Sequence, residues 1–135
     1  MIPSAPNFLD TNILVYAFAD DPRSSIAQEL MAEPFTLSVQ GLNEFANVMH
    51  RKLAQPWDRI EAAIDMLTEA AHVIVPVDTA MTRFALQLAS RYQLSFYDAL
   101  MVSAALQAGC ERFHSEDLHH GLRIEEQLSV VNPFR

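Results

Sequence analysis

Three aspartates stand where the chain turns. Asp10 follows Phe8-Leu9 and precedes Thr11-Asn12 and the apolar run Ile13-Leu14-Val15-Tyr16. That stretch reads as a short buried strand that ends on a carboxylate and passes at once into a helix. Asp98 lies in the first turn of a helix that is otherwise apolar, and Asp117 follows Arg112-Phe113-His114-Ser115. Taken singly, each has an ordinary structural reading: a cap, a partner for a helix dipole, a turn residue. In an open parallel sheet, however, ligands sit outside the carboxyl ends of the strands. Three acids at such places imply an acidic pocket at one end of the sheet. Two carboxylates about 5 Å apart repel by about 3 kcal/mol at an effective dielectric of about 20. Three or four would take up protons or hold a cation. Hard carboxylate oxygens suit Mg²⁺ or Mn²⁺. Such an ion lowers the pKa of a bound water and clamps a phosphoryl oxygen, so phosphodiester hydrolysis is the natural reaction class.

The elements that must position these acids alternate. Phe8-Leu9 opens a first strand, with Asn12 expected to cap a helix over residues 13–19 that Asp20-Asp21-Pro22 stops. Ser24 or Ser25 is expected to cap a second helix carrying Ile26, Leu30 and Met31. Phe35-Thr36-Leu37-Ser38 reads as a second strand. A long helix over residues 40–53 follows, with Leu42, Phe45, Ala46, Met49 and Leu53 on one face. Glu44 falls opposite the stripe of Leu42, Ala46 and Met49, so the helical wheel makes it a solvated surface residue unless its helix walls a cleft. Pro56 suits the first turn of the next helix, whose stripe runs from Ile60 to Ala71. Val73-Ile74-Val75 is a third strand. Asp78 or Thr79 caps a helix in which Met81, Phe84, Ala85, Leu88 and Tyr92 are in register. The helix over residues 97–108 is apolar nearly all round and should be deeply buried, with Gly109 just past its end. Residues 112–115 read as a fourth strand and residues 128–131 as a possible fifth. Strands alternating with helices predict an α/β fold: a parallel twisted sheet of four to five strands with helices on both faces, in a single domain over residues 1–135.

Composition narrows the function classes. Half of the 135 residues are hydrophobic and 19% are charged, which describes a globular chain with a sizeable core. The formal net charge of -8 argues against a sequence-independent nucleic-acid binder with a basic face. It suits carboxylates gathered around a cation, or a basic protein partner. Residues 1–6, with two prolines, read as a lead-in without the basic and apolar regions of a signal peptide. No apolar run approaches the roughly 18–20 residues of a membrane span. Cys110 is the single cysteine and cannot form an internal disulfide. A cytoplasmic location is the expectation.

In order and spacing, the motifs resemble the PIN-domain ribonucleases, and in particular the VapC toxins of type II toxin–antitoxin systems. The resemblance is carried by Leu9-Asp10-Thr11-Asn12, by Leu37-Ser38-Val39-Gln40-Gly41-Leu42-Asn43-Glu44-Phe45 leading into Arg51-Lys52, and by Leu94-Ser95-Phe96-Tyr97-Asp98-Ala99-Leu100. Ala108-Gly109-Cys110, Ser115-Glu116-Asp117-Leu118 and Val131-Asn132-Pro133-Phe134 extend it over nearly the whole chain. The resemblance implies that Asp10, Glu44, Asp98 and Asp117 are an acidic quartet that binds Mg²⁺ or Mn²⁺, with Asp117 preferred to Glu116. It implies that Asn12 and Ser115 support the site through hydrogen bonds. It further implies endonucleolytic hydrolysis of RNA by metal-activated water, a homodimer, and a cognate antitoxin protein that silences the site.

Other readings have less support. A dehalogenase-like phosphatase would need an aspartate where Asn12 stands, and both it and a receiver-type signalling domain need a suitably placed lysine; Lys52 is the only one. A catalytically silent PIN-like module that binds nucleic acid or protein remains the non-enzyme alternative. Arg51, Lys52 and Arg91 are candidate RNA contacts, though each reads first as an ordinary solvated charge. His119-His120 lack metal-ligand spacing, His114 is expected to be partly buried, and Cys110 a small packed residue. Trp57 is expected to anchor the bundle surface or a dimer contact, although it could stack on a base. Tyr97 is expected to pack beneath the acids.

Overall fold

The computed structural model describes residues 5–135, so the first four positions of the expected lead-in lie outside the described residues. Among the described residues, six strands form one sheet: β1 (Asn7–Leu9), β2 (Phe35–Ser38), β3 (Val73–Val75), β4 (Arg112–His114), β5 (Arg123–Ile124) and β6 (Leu128–Val131). Their order is β3-β2-β1-β4-β6-β5. Every pairing is parallel except β5 with β6. The sheet thus has one strand more than the sequence pattern predicts. β5 is two residues long and arises from a tight hairpin in which Glu125 and Glu126 both have positive φ, too short to carry a period-2 signal.

Period-2 alternation divides the core between the two faces of the sheet. Leu9, Phe35 and Leu37 point to one face and pack under α1 (Thr11–Phe18), α2 (Ser24–Met31), α3 (Val39–Arg51) and α4 (Trp57–Ala70). Phe8, Val75, Phe113 and Val130 point to the other and pack under α5 (Thr79–Tyr92) and α6 (Phe96–Gln107). Phe8 and Phe113, opposite each other on β1 and β4, stack with ring centroids 5.2 Å apart. Helix α6 is buried continuously from Ala99 to Ala105, as its all-round apolar pattern requires. Gly109, at φ 75°, turns the chain out of it.

Several helices begin on a side-chain oxygen. Asp10 accepts from Thr11 N at the start of α1, so the acid itself is the cap and Asn12, the expected cap, is the second residue of the helix. Ser38, Asp78 and Ser95 cap α3, α5 and α6. Helix α2 has no side-chain cap: Arg23 occupies that position, and Ser24 Oγ donates instead to the Ala19 carbonyl at 2.6 Å. Pro56 stands just before α4 rather than inside its first turn.

Helix α3 is seated by a glycine. Its buried residues are Gly41, Phe45 and Met49, whereas Leu53 is exposed. A Cβ on Gly41 would stand 3.1 Å from Met101 Cε of α6 and 3.5 Å from Ser38 Oγ. A branched side chain there must displace Met101 within a packed core. Gly41→Val is therefore expected to destabilise the protein by about 1–3 kcal/mol, read as a lower midpoint in urea unfolding with little change in slope.

Candidate functional site

The strand order reverses at β1, which has β2 on one side and β4 on the other. Chain segments leaving the carboxyl ends of β1 and β4 diverge there and open a crevice, the usual ligand position of an open α/β sheet. Leu9 pairs with His114, so the next residues, Asp10 and Ser115, face each other across the crevice. Asp10 N donates to the His114 carbonyl at 3.0 Å. Asp10 is only 4% exposed. Its Oδ1 accepts from Thr11 N and its Oδ2 from Ser115 Oγ, both at 2.8 Å. Burial pushes this carboxyl from the ordinary 3.8 up to about 7. The two hydrogen bonds restrain the rise, and the charges of Asp98 and Asp117 add to it.

Asn12 and Ser115 link the acids. The Asn12 amide nitrogen donates to Asp117 Oδ2 at 3.0 Å and lies 3.5 Å from Asp10 Oδ2. Its carbonyl oxygen accepts from Glu116 N at 3.2 Å. Ser115 Oγ donates to Asp10 and accepts from Asp117 N at 3.1 Å. Asp10, Asn12, Ser115 and Asp117 thus form one hydrogen-bonded set, with a buried carboxylate at one end and an exposed one at the other.

Asp98 and Glu44 reach the same place from two other helices. Asp98 is the third residue of α6, its N–H bonded to the Ser95 cap at 3.3 Å, and its charge acts on both Asp10 and Glu44. Glu44 is half-buried rather than a solvated surface residue. The buried ridge of α3 is Gly41-Phe45-Met49, and Glu44 belongs to the neighbouring i+4 ridge Gln40-Glu44-Val48-Lys52. A wheel that scores glycine as neutral turns the apolar face away from Gly41 and misplaces Glu44. Burial raises the Glu44 pKa, Gln40 Nε2 restrains it from 3.3 Å, and Asp98 and Asp117 raise it further.

Glu44, Glu116 and Asp117 line a groove of about 370 Å³ together with Lys52 and the aliphatic Val15 and Val48. Thr11 also lines it, and Thr11 Oγ1 is buried with no hydrogen-bond partner among the described residues. Among the described residues, no three His, Cys, Asp or Glu side chains stand close enough together to hold a metal ion. The donors fit a hard cation in type and in electrostatic coupling, and not in spacing as the side chains stand. A larger cavity, about 480 Å³, is lined by residues of α5 and α6 and by Glu125 and Gln127. Its lining is largely apolar, and its one carboxylate, Glu125, is tied to Arg91 and Tyr92. The acidic groove is therefore the chemically equipped one.

Some residues stand apart from their sequence readings. Arg91 Nη1 bonds both oxygens of Glu125 at 2.7 and 2.6 Å, far from the acids in role, so it is not a free cation for RNA. Tyr97 is 59% exposed; Phe96 packs on the α5–α6 core in its place, because adjacent helical residues point about 100° apart. Trp57 is exposed and stacks on His50 at 3.7 Å. His119 and His120 are exposed, and Cys110 is buried. His114 is buried, its Nε2 3.0 Å from Asn7 Oδ1 and its pKa pushed down to about 4 by burial and the nearby Arg112 charge. The spacing of the chain had not pointed to Tyr16, Arg23 or the clasp they form on Glu116, since 93 residues separate Arg23 from that glutamate.

The PIN domain family model matches residues 8–121. Among solved structures, a toxin–antitoxin complex from Klebsiella pneumoniae is similar with a TM-score of 0.70 and 22% identity, over 94% of this chain and 97% of that one. VapBC-1 from nontypeable Haemophilus influenzae is similar with a TM-score of 0.69 and 19% identity, over 96% and 98%. VapC20 of Mycobacterium tuberculosis, described as a sarcin–ricin loop cleaving toxin, gives 0.65 and 21%, over 79% and 86%. At these identities the likeness to solved structures is one of fold. No curated protein matches the chain.

The buried acid makes a pH prediction. Unfolded, Asp10 ionises near 3.8; folded, it keeps its proton to about 7. The native state binds the extra proton in that window, so this group lowers stability as pH rises through it. His114 acts oppositely: its folded pKa of about 4 lies below the ordinary 6.5, and its contribution raises stability between those values. Asp10→Asn removes the first effect and keeps the second. In chelator-treated protein, the stability of Asp10→Asn relative to wild type should therefore grow from pH 4 to pH 7, by up to about 4 kcal/mol. Denaturant unfolding of both proteins across that range measures it; a difference independent of pH would mean that Asp10 is ionised throughout.

Proposed function

The chain belongs to the PIN domain family, and we propose that it is a metal-dependent endoribonuclease that acts as the toxin of a toxin–antitoxin pair. The observation that supports this reading is that Asp98 and Asp117 act by charge on both Asp10 and Glu44, so that acids from four separate segments of the chain are coupled beside the switch point of the sheet. In this reading the four carboxylates hold Mg²⁺ or Mn²⁺. An ion held there would supply an activated water and neutralise charge on the scissile phosphate. Asn12 and Ser115 orient Asp10 and Asp117 by the hydrogen bonds that already join them. Water attacks phosphorus and the 3′ oxygen leaves, giving a 5′-phosphate and a 3′-hydroxyl.

A chain with net charge -8 needs a cation at the phosphate, and the ion meets that need. Lys52 adds to it. It lines the groove eight residues along α3 from Glu44, about 12 Å at 1.5 Å per residue. That distance suits a phosphate a few nucleotides from the scissile one. The apolar Val15 and Val48 between them offer a surface for a base. The antitoxin partner is supported by the Klebsiella and Haemophilus relatives, whose structures are toxin–antitoxin assemblies. A basic segment of an antitoxin would suit the acidic groove. A homodimer and a cytoplasmic location go with the same reading. No described helix is long and apolar enough to cross a membrane.

A second reading is a catalytically silent PIN-like module that binds nucleic acid or protein. It is favoured by one observation: no three of the described acids stand at ligand spacing. Incubating purified protein with a mixed RNA pool, in Mn²⁺, in Mg²⁺ and in chelator, separates the two. Cleavage is expected only with the ions, and Asp98→Asn should lose it by more than about a hundredfold. Cleavage in chelator, or an Asp98→Asn variant as fast as wild type, would overturn the assignment. Lys52→Ala should raise KM with little change in kcat and lower the slope of log KM against log salt by about 0.7–1.

A further inference from the structure

Beside the acids, the carboxylate of Glu116 is gripped from both sides. Arg23 Nη1 donates to Glu116 Oε1 at 2.8 Å, and the Tyr16 hydroxyl donates to Glu116 Oε2. Arg23 is itself fixed. Its Nε and Nη2 bond the two oxygens of Asp21 at 2.8 and 2.9 Å, and its backbone N–H bonds Asp21 Oδ1 at 2.8 Å. The guanidinium also sits 4.0 Å from the centroid of the Tyr16 ring. Phe134 meets that ring edge-on at 5.3 Å. The planar arginine fork is what allows one side chain to bond Asp21 and Glu116 and stack at once.

A partly exposed ion pair stabilises a fold only a little, so the placing of this one matters more than its strength. Glu116 lies between Ser115 and Asp117. Its N–H bonds Asn12 Oδ1, and the next N–H, that of Asp117, bonds Ser115 Oγ. Holding the Glu116 side chain against Tyr16 and Arg23 therefore holds the turn that presents Asp117 to Asn12. We propose that Arg23 and Tyr16 are positioning residues for the acidic site, clamping Glu116 so that Asp117, and not its neighbour, faces Asn12 and Asp10. This inference rests on reading the acids as a metal centre. The clamp draws Glu116 towards α1 and the α1–α2 turn, and it keeps an extra carboxylate from competing for the ion.

The test uses the full chain as wild type, Arg23→Ala, Arg23→Lys and Tyr16→Phe, with two readouts: amide hydrogen exchange and Mn²⁺ affinity by calorimetry. In Arg23→Ala the Glu116 and Asp117 amides should exchange at least about tenfold faster. The Asp10 amide, bonded to His114 in the sheet, should stay as in wild type. Mn²⁺ should bind about tenfold more weakly. Arg23→Lys should recover part of that affinity, and Tyr16→Phe should lose less than Arg23→Ala. If Arg23→Ala fails to fold, Glu116→Gln, which keeps the Arg23–Asp21 pair, takes its place with the same two readouts. Unchanged exchange at Glu116 and Asp117 would overturn the clamp. Faster exchange with wild-type Mn²⁺ affinity would reduce Arg23 to a structural role and overturn the positioning claim. If wild type binds no Mn²⁺, the metal-dependent nuclease reading falls, whereas the exchange rates still decide whether the clamp holds the turn.

Discussion

A carboxylate shut away from water is the constraint on which the site depends. Asp10 sits at the end of the central strand with two hydrogen bonds favouring its charge, and with burial and two like charges opposing it. The balance falls near neutral pH, which is where a small change in surroundings decides between a proton and a cation. Each feature around it adjusts that balance. The α1 terminus supplies one donor, and Ser115 supplies the other from across the crevice. Asp98 and Asp117 supply the repulsion that opposes its charge.

The sheet exists, from this viewpoint, to keep four remote segments at fixed separations. β1 and β4 are paired in register through Leu9 and His114, and their stacked phenylalanines pin that register from the other face. Helix α3 is drawn in by Gly41 against Met101 of α6, and this brings Glu44 on one helix and Asp98 on the other to the same rim. Side-chain caps at Ser38 and Ser95 fix where those helices begin. A shift of one residue in any of these starts would rotate its acid by about 100°.

The charge distribution follows the same economy. Nine basic residues face seventeen acidic ones. Arg23 is spent on Asp21 and Glu116, and Arg91 on Glu125, so two of the cations serve the protein's own turns. Lys52 is the lysine that lines the acidic groove. Asp10 and Asp117 are joined by Asn12 and Ser115 rather than neutralised by a basic side chain. Neutral donors orient carboxylates without cancelling the charge that attracts a cation.

Much of this was legible in the linear chain, and for local reasons. Strand-ending Asp10, the all-apolar α6 with Asp98 in its first turn, and the turn acid Asp117 follow from short-range patterns of burial and capping, as does the alternation that makes an α/β sheet. Their ordered spacing carried the family resemblance, which matches the PIN domain family model found over residues 8–121. The places where local reasoning failed are equally specific. The wheel turns Glu44 outward because glycine has no hydrophobicity to register on it, although its missing side chain is what lets α3 approach Met101. Asn12 has the chemistry of a cap, but α1 begins at Thr11, which gives that role to Asp10. Tyr97, expected beneath the acids, is exposed, and its neighbour Phe96 packs on the core. Nothing in spacing could connect Arg23 with Glu116, or show that Arg91 answers Glu125. Residue types and local periodicity determine which groups can do chemistry and which element carries each. Which of them meet, and which are tied down elsewhere, depends on contacts between residues far apart in the chain, which form only when the packed sheet brings them together.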